Sequence, residues 1–206
     1  MASDVIDDEW RAFVEVPAGY ATPKRLSECL GGEISQTGCR LLQSSERLHR
    51  RLSRHLSDHY SLPNTGEKAI SLEDRSIALL AGDRLDELAL RSGAVFWAGS
   101  IAAAIGKDEA VALQNHLGDE IITSALRHRD LSATPRPVGH PDTILDRVME
   151  DGWKCFDAWL ADTPPSIGMR VRLKLPETRP GQEGPEQDHI QLGARIVRRA
   201  VGDIDQ

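Results

Sequence analysis

Two histidines stand four residues apart in a segment whose apolar spacing predicts a helix. His55 and His59 would lie one turn apart on the same helical face, a spacing that lets two imidazoles bind one metal ion. The helical zinc-protease motif has Glu directly after its first His, where this chain has Leu56, and no third ligand is evident. We therefore expect solvated histidines and predict no metal site.

The other reactive residue types lack the neighbouring groups that catalysis requires. Cys29, Cys39 and Cys155 are odd in number, show no metal-site spacing and stand apart from any His–acid signature. They read as reduced cytosolic thiols. Neither GxxxxGK nor GxGxxG occurs, so no phosphate-binding loop is indicated. Acids such as Asp83 and Asp86 fall on predicted helices, where carboxylates usually face solvent. The sequence predicts a protein that is not an enzyme and holds no cofactor.

Four arginines form the most distinctive polar feature of the chain. Arg47, Arg50, Arg51 and Arg54 fall opposite the apolar stripe of a helix predicted over 41–60. One interpretation is a solvated face, partly paired with acids of the same chain. Another is a docking surface for an acidic partner, because guanidinium groups pair bidentately with carboxylates. Nucleic acid is a third interpretation, with a small footprint for a chain of net charge −7. We take the four arginines as the candidate partner-binding residues.

The helices around these residues are organised by an uncharged run, Ala94–Ile105, in which Ser100 is the only polar side chain. A helix that is apolar all round belongs inside a domain or a membrane. A helix needs about 20 apolar residues to span a bilayer, and this run is shorter. We expect it to be the central helix of a globular core, with Trp97 buried. Amphipathic helices are predicted before it, over 83–91, and after it, over 107–129.

The whole pattern predicts a mainly α, multi-helix globular protein with one domain over 1–206. Within it we expect a frayed acidic N-terminus (1–9), a Pro-rich internal linker (132–141) and a flexible loop (177–188). Residues 169–175, MRVRLKL, alternate strictly, which fits a short strand or one arm of a hairpin. Because no partner strand is evident, a helical turn stays open as an alternative.

The composition is that of a soluble globular protein, with 40% hydrophobic and 28% charged residues. The acidic start, MASDVIDDEW, has no basic n-region followed by an apolar stretch, so we predict no signal peptide. No run is long and apolar enough for a transmembrane helix. These features predict a cytoplasmic protein.

Three stretches carry a family resemblance. They are LDELALRSGAVFWAGSIAAAI (85–105), LGDEIITSALRHRDL (117–131) and GWKCFDAWLADTPPSIGMRVRLKLP (152–176). Together they resemble the SctK family of type III secretion proteins, which includes YscK and the rhizobial NolU-like proteins. The resemblance covers roughly the last two-thirds of the chain and consists of helix faces, with no catalytic motif to carry over.

The resemblance implies a non-enzymatic cytoplasmic adaptor of the secretion sorting platform. Such a protein links the cytoplasmic domain of the inner-membrane ring protein to an SctQ-type pod protein, next to an SctL-type stator. It would be peripheral to the inner membrane through protein contacts, without inserting into the bilayer. The alternative hypothesis is a helical nucleic-acid-binding or regulatory module that uses the Arg47–Arg54 face. A small enzyme or metal protein with a site at His55 and His59 is the third hypothesis.

Overall fold

A computed structural model of the chain describes residues 2–65, 70–104, 107–137, 143–176, 178–181 and 183–204, with the side chains of 2–6, 107–110 and 112 excepted. Twelve α-helices and no strand lie within these residues, which confirms the predicted mainly α fold. The helices are α1 (Ala2–Glu15), α2 (Pro23–Cys29), α3 (Gln36–Gln43), α4 (Glu46–His59), α5 (Leu72–Leu79), α6 (Gly82–Phe96), α7 (Ala98–Ala103), α8 (Lys107–Leu117), α9 (Asp119–Arg127), α10 (Ile144–Asp162), α11 (Pro165–Arg172) and α12 (Gln187–Val201). Short 3₁₀ turns cover Pro17–Gly19 and Arg129–Leu131.

The chain divides into two compact units, each made from two separate stretches. The first unit comprises Met1–Gly82 and Thr163–Glu177, and the second comprises Asp83–Asp162 and Thr178–Gln206. The single domain over 1–206 stays a prediction beside this division.

The first unit packs α2, α3 and α4 around a small apolar core. Thr22 caps α2 by accepting a hydrogen bond from the Arg25 amide, and Ser35 caps α3 by accepting one from the Gly38 amide. These bonds satisfy amide groups that have no partner within the helix. The buried side chains of this core are Ala18, Ala21, Leu26, Cys39, Leu52, Leu56 and Leu173.

The alternating segment 169–175 is helical, so the strand interpretation is wrong. A strand would place Arg170, Arg172 and Lys174 on one face, whereas a helix brings Arg170 and Lys174 together and turns Arg172 away. In the structure Arg170 and Lys174 are buried and Arg172 is exposed. α11 ends at Arg172 and the chain continues in a turn, as the alternative interpretation held.

Backbone carbonyl groups explain why the two cations of this segment are buried. Arg170 donates from Nε to the Val14 carbonyl at 3.1 Å and from Nη1 to the Pro63 carbonyl at 2.8 Å. Lys174 Nζ donates to the carbonyls of Ala78 at 2.7 Å and Leu80 at 2.8 Å. Each cation therefore satisfies carbonyl groups that lie outside α11. Buried polar groups need such partners.

The N-terminal segment differs from the frayed end we expected, because α1 already begins at Ala2. An ion pair of 3.0 Å joins Asp7 to Arg75 of α5. The Arg75 guanidinium also lies 4.9 Å from the centre of the Trp10 ring, and Trp10 stacks on Phe13. These contacts attach α1 to the rest of the first unit.

In the second unit α10 lies between α6 and α12, and glycines occupy the points where the helices approach each other closely. A methyl group on Gly93 of α6 would lie 1.8 Å from the Val148 carbonyl oxygen, and one on Gly152 of α10 would lie 1.8 Å from the Ala89 carbonyl oxygen. Gly193 of α12 faces α10 in the same way, since its methyl group would lie 2.9 Å from the Cys155 Cα. The three helices thus approach to backbone contact.

The uncharged run forms two helices rather than one central helix. α6 ends at Phe96 and α7 starts at Ala98. The break arises because the Phe96 carbonyl accepts a hydrogen bond from the Ala133 amide at 3.0 Å instead of extending the helix. Trp97 is 2% exposed, which confirms that it is in the core. Ala102 and Ala103 at the end of α7 are exposed, and Ile105 lies outside the described residues.

The two predicted irregular segments are described only in part. Residues 132–137 of the linker (132–141) lack regular structure, and 138–141 lie outside the described residues. In the predicted loop (177–188), positions 177 and 182 lie outside them too. α12 begins at Gln187, inside that range, because Glu186 and His189 form a reciprocal capping box.

A substitution of Gly152 tests the helix contact in the second unit. Gly152→Ala places a methyl group 1.8 Å from a backbone oxygen that cannot rotate away. We expect it to lower the free energy of unfolding by at least about 3 kcal/mol, the upper end for an overpacked core. Urea denaturation followed by circular dichroism measures this. Gly202→Ala is the matched control, since its methyl group would meet only Arg199 O at an ordinary 3.5 Å. An unchanged midpoint for Gly152→Ala would contradict the packing.

Candidate protein-binding surface

The four candidate arginines lie together on the outer side of α4. All four are exposed, whereas Leu52 and Leu56 on the opposite side of the helix are buried. At 3.6 residues per turn, Arg47, Arg50, Arg51 and Arg54 span an arc of about 100° and a length of about 10 Å. We call these four residues the arginine face.

Within the described ranges, the charges of the arginine face are not neutralised by an ion pair. Among the described residues, none of its four guanidinium groups makes a hydrogen bond or an ion pair. Two exposed acids share the helix with it, Glu46 at its first turn and Asp58 at its last. Neither lies within ion-pair distance of an arginine in the described structure. The interpretation in which these arginines pair with acids of the same chain finds no such pair there.

His55 and His59 are both exposed on α4, outside the apolar side of the helix. Within the described part of the chain, no three His, Cys, Asp or Glu side chains are grouped closely enough to hold a metal ion. The ring of His59 instead packs edge-on against Tyr60, with centroids 4.7 Å apart.

The three thiols lie in environments that disfavour the thiolate. Cys39 and Cys155 are buried and Cys29 is half-buried. Burial raises the pKa of all three thiols, most strongly that of Cys155. A nucleophilic cysteine requires the opposite shift of its pKa.

A cluster around Asp203 contains the residue types of a hydrolase triad, but in the wrong order. The Ser124 hydroxyl donates to Asp203 Oδ2, and His128 Nε2 lies 3.0 Å from the same oxygen. Burial opposes the charge of Asp203, yet the hydrogen bonds from Ser124 and His128 hold its pKa below the usual value. In a triad the imidazole lies between hydroxyl and carboxylate and removes the hydroxyl proton. Here the carboxylate lies between them, and the cluster ties the end of the second unit to α9.

A second buried network joins Trp97, Asp151 and His189. Trp97 Nε1 donates to Asp151 Oδ2 at 2.6 Å, and His189 Nε2 lies 3.0 Å from Asp151 Oδ1. The Glu186 amide donates to His189 Nδ1 at 3.2 Å, so we assign the ring proton to Nε2. Burial opposes the charge of Asp151, but the hydrogen bonds from His189 and Trp97 lower its pKa. His189 is 0% exposed, which leaves no room for a substrate at this dyad.

Lys174 is a buried amine that resembles an activated lysine only in its pKa. Burial lowers the pKa of Lys174 to about 8. Its Nζ lies 5.0 Å from the ring centres of both Phe13 and Tyr20, in addition to its two carbonyl partners. The amine is thus enclosed by groups of its own unit, and at 7% exposure it cannot meet an electrophile from solution.

A groove of about 900 Å³ runs along α1 in the first unit. Its apolar walls include Trp10, Val14 and Ile70. The charged residues Asp7 and Arg75 in its lining pair with each other. Arg11 and Glu15 also line the groove, and Arg11 pairs with Asp8.

Comparisons with protein-family models, with curated proteins and with solved structures found no match to this chain. The resemblance to the SctK family therefore stays a prediction. No helix in the described ranges is both long and apolar enough to cross a bilayer.

Sequence reasoning missed the buried charged residues of both units. Arg170 and Lys174 gave one usable signal, their spacing of four residues between apolar neighbours, which fits a helix as well as a strand. Asp151, His189 and Asp203 gave none, because they are distant in sequence from the residues they contact.

Charge reversal on the arginine face tests whether its side chains contribute to the stability of the fold. Arg50→Glu together with Arg51→Glu should leave helicity and the free energy of unfolding within about 0.5 kcal/mol of the unmodified protein, as for other exposed substitutions. Circular dichroism and urea denaturation measure both. A loss of several kcal/mol would mean that the two guanidinium groups support the fold.

The buried amine of Lys174 predicts a pH dependence of stability. Its pKa is about 8 in the folded chain and about 10.4 when unfolded. Between these values the unfolded chain binds more protons, so stability rises with pH by up to about 1.4 kcal/mol per pH unit. Urea denaturation from pH 7 to 10, compared with Lys174→Met, isolates this contribution. The raised pKa of Tyr20 acts only above pH 10, where it makes stability fall. Parallel pH profiles for the two proteins would contradict the assignment.

Proposed function

We propose that the chain is a non-enzymatic adaptor that binds other proteins within a type III secretion system. The secretion part of this proposal rests on the resemblance of residues 85–105, 117–131 and 152–176 to the SctK family. The binding part rests on the arginine face of α4. These four exposed cations have no partner among the described residues and are held on a helix with a buried opposite side.

The chemistry around the other polar groups agrees with a binding role. The Asp203 cluster has its carboxylate where a triad has its imidazole, and the Asp151–His189 pair is closed to solvent. Lys174 is enclosed, and burial raises the pKa of the thiols. Asp151, Asp203 and Lys174 are thus each engaged in contacts within the fold.

The proposed partners are those that the family resemblance implies. They are the cytoplasmic domain of the inner-membrane ring protein, an SctQ-type pod protein and an SctL-type stator. The chain would act in the cytoplasm at the inner membrane, recruited by protein contacts.

The same arginine face supports one alternative, a nucleic-acid-binding or regulatory module. Four free arginines can release about four counterions from duplex DNA, which predicts affinity that falls steeply with salt. The net charge of −7 weighs against this alternative. Titrating purified protein against duplex DNA at two salt concentrations separates the two functions.

Deletion of the gene tests the proposed function in the organism that carries it. We expect loss of effector secretion, restored by the unmodified gene, and recovery of ring and pod proteins with a tagged copy. The reason is mechanical, because an adaptor that joins two assemblies cannot be bypassed while both depend on it. Secretion at the normal level in the deletion strain would refute the proposal.

A further inference from the structure

We propose that the arginine face binds an acidic helix of a partner protein. The matching helix carries Asp or Glu over two turns and a Lys or Arg on the next turn, where it meets Asp58. This inference rests on the proposed protein-binding role and specifies the partner's chemistry.

The charge pattern along α4 sets the register of the partner. Arg47 begins the arginine face, Arg50 and Arg51 lie about one turn farther on, and Arg54 lies about two turns farther on. Asp58 follows Arg54 by four residues, so it lies on the same side of the helix one turn farther on. It is exposed, as the arginines are. The surface therefore reads as two turns of positive charge that end in a negative charge.

The dimensions of the arginine face fit a helix better than an extended chain. Its cations follow the spacing i, i+3, i+4 and i+7 and cover about 10 Å. Carboxylates with the same spacing on a partner helix repeat over the same length. In an extended chain, side chains of one face recur only about every 7 Å. Such a chain offers about two carboxylates to four arginines.

α4 presents these arginines on a fixed support. Leu56 is 0% and Leu52 6% exposed on the opposite side, and the Ser53 hydroxyl accepts a hydrogen bond from the Ala18 amide at 3.3 Å. The backbone of the site is thus ordered before a partner arrives, which lowers the entropy cost of binding. An intrahelical pair between Arg54 and Asp58 would be weak, as exposed pairs of this spacing are. A partner carboxylate can replace it.

Nucleic acid fits this surface less well than an acidic helix. A duplex or a single strand continues its negative charge past Arg54 and meets the carboxylate of Asp58. The whole chain also carries −7, which repels a polyanion at long range. A short acidic segment followed by a cation avoids both costs.

Synthetic peptides test the inference on the full-length protein. The probe is an alanine-based helical peptide with Glu at i, i+3, i+4 and i+7 and Lys at i+11. A second probe places the Lys at i−4, for the opposite helix direction. We call these two probes the striped peptides. The control peptide has the same composition with its acids spread around the helix. We expect fluorescence anisotropy to show at least about tenfold tighter binding of one striped peptide than of the control, as expected from a few aligned charge pairs.

Three variants locate the binding on the protein. Arg50→Glu with Arg51→Glu should weaken the striped peptide by about tenfold or more, since two attractions become repulsions. Arg195→Glu with Arg199→Glu is the matched control. It makes the same charge change at two exposed arginines of α12, and it should bind as the unmodified protein does. Asp58→Lys should weaken the Lys-ended peptide and strengthen one that ends in Glu.

Equal binding of striped and scattered peptides would overturn the inference, as would equal losses from the two charge reversals. Tighter binding of duplex DNA than of either striped peptide would overturn it in favour of the nucleic-acid alternative. Loss of the Asp58→Lys preference would overturn the proposed register. The deletion experiment has a separate readout. A strain that fails to secrete, combined with no peptide binding, would leave the adaptor function supported and remove only the acidic-helix partner.

Discussion

The buried carboxylate of Asp151 is the constraint on which the second unit depends. It lies on α10, and its hydrogen-bond partners come from the break between α6 and α7 and from the first turn of α12. Removing one partner of a buried hydrogen bond costs about 1–3 kcal/mol, and more where the group left behind is charged, because it cannot be solvated. These elements must therefore keep one arrangement around Asp151. The glycines that bring α6 and α12 to backbone contact with α10 make this arrangement sterically attainable.

In the first unit, buried cations hold separate segments together as Asp151 does in the second unit. Arg170 and Lys174 donate to carbonyl groups of Val14, Pro63, Ala78 and Leu80, which belong to several separate segments. Each cation replaces the water that those carbonyls would otherwise need. In both units, charged groups inside the fold thus position segments that are remote in sequence.

This use of internal charge bears on the proposed function. The titratable groups with the features that catalysis often exploits, such as Asp151, Lys174 and Asp203, are occupied by contacts within the fold. The guanidinium groups of the arginine face differ, because the described structure gives them no partner. A helix with a buried side and a free charged side is suited to contact another macromolecule. The binding part of the proposed adaptor function rests on this surface.

The sequence by itself determined the helical class and the exposed position of the arginine face. Both follow from local periodicity, because apolar residues at helical spacing must face a core and leave the intervening charges outside. Residues 169–175 mark the limit of that reasoning. Their alternation fits a strand and a helix alike. Only the carbonyl groups that accept hydrogen bonds from Arg170 and Lys174 decide between the two.

The interruption of the uncharged run was likewise decided by tertiary structure. Nothing local distinguishes the Phe96 carbonyl, but the Ala133 amide, far along the chain, removes it from the helix. The Asp151 network has the same origin, since its two hydrogen bonds join residues 54 and 38 positions apart. Periodicity records what each segment must bury. It does not predict which distant group will satisfy a buried charge or carbonyl, because that pairing exists only once the chain has folded.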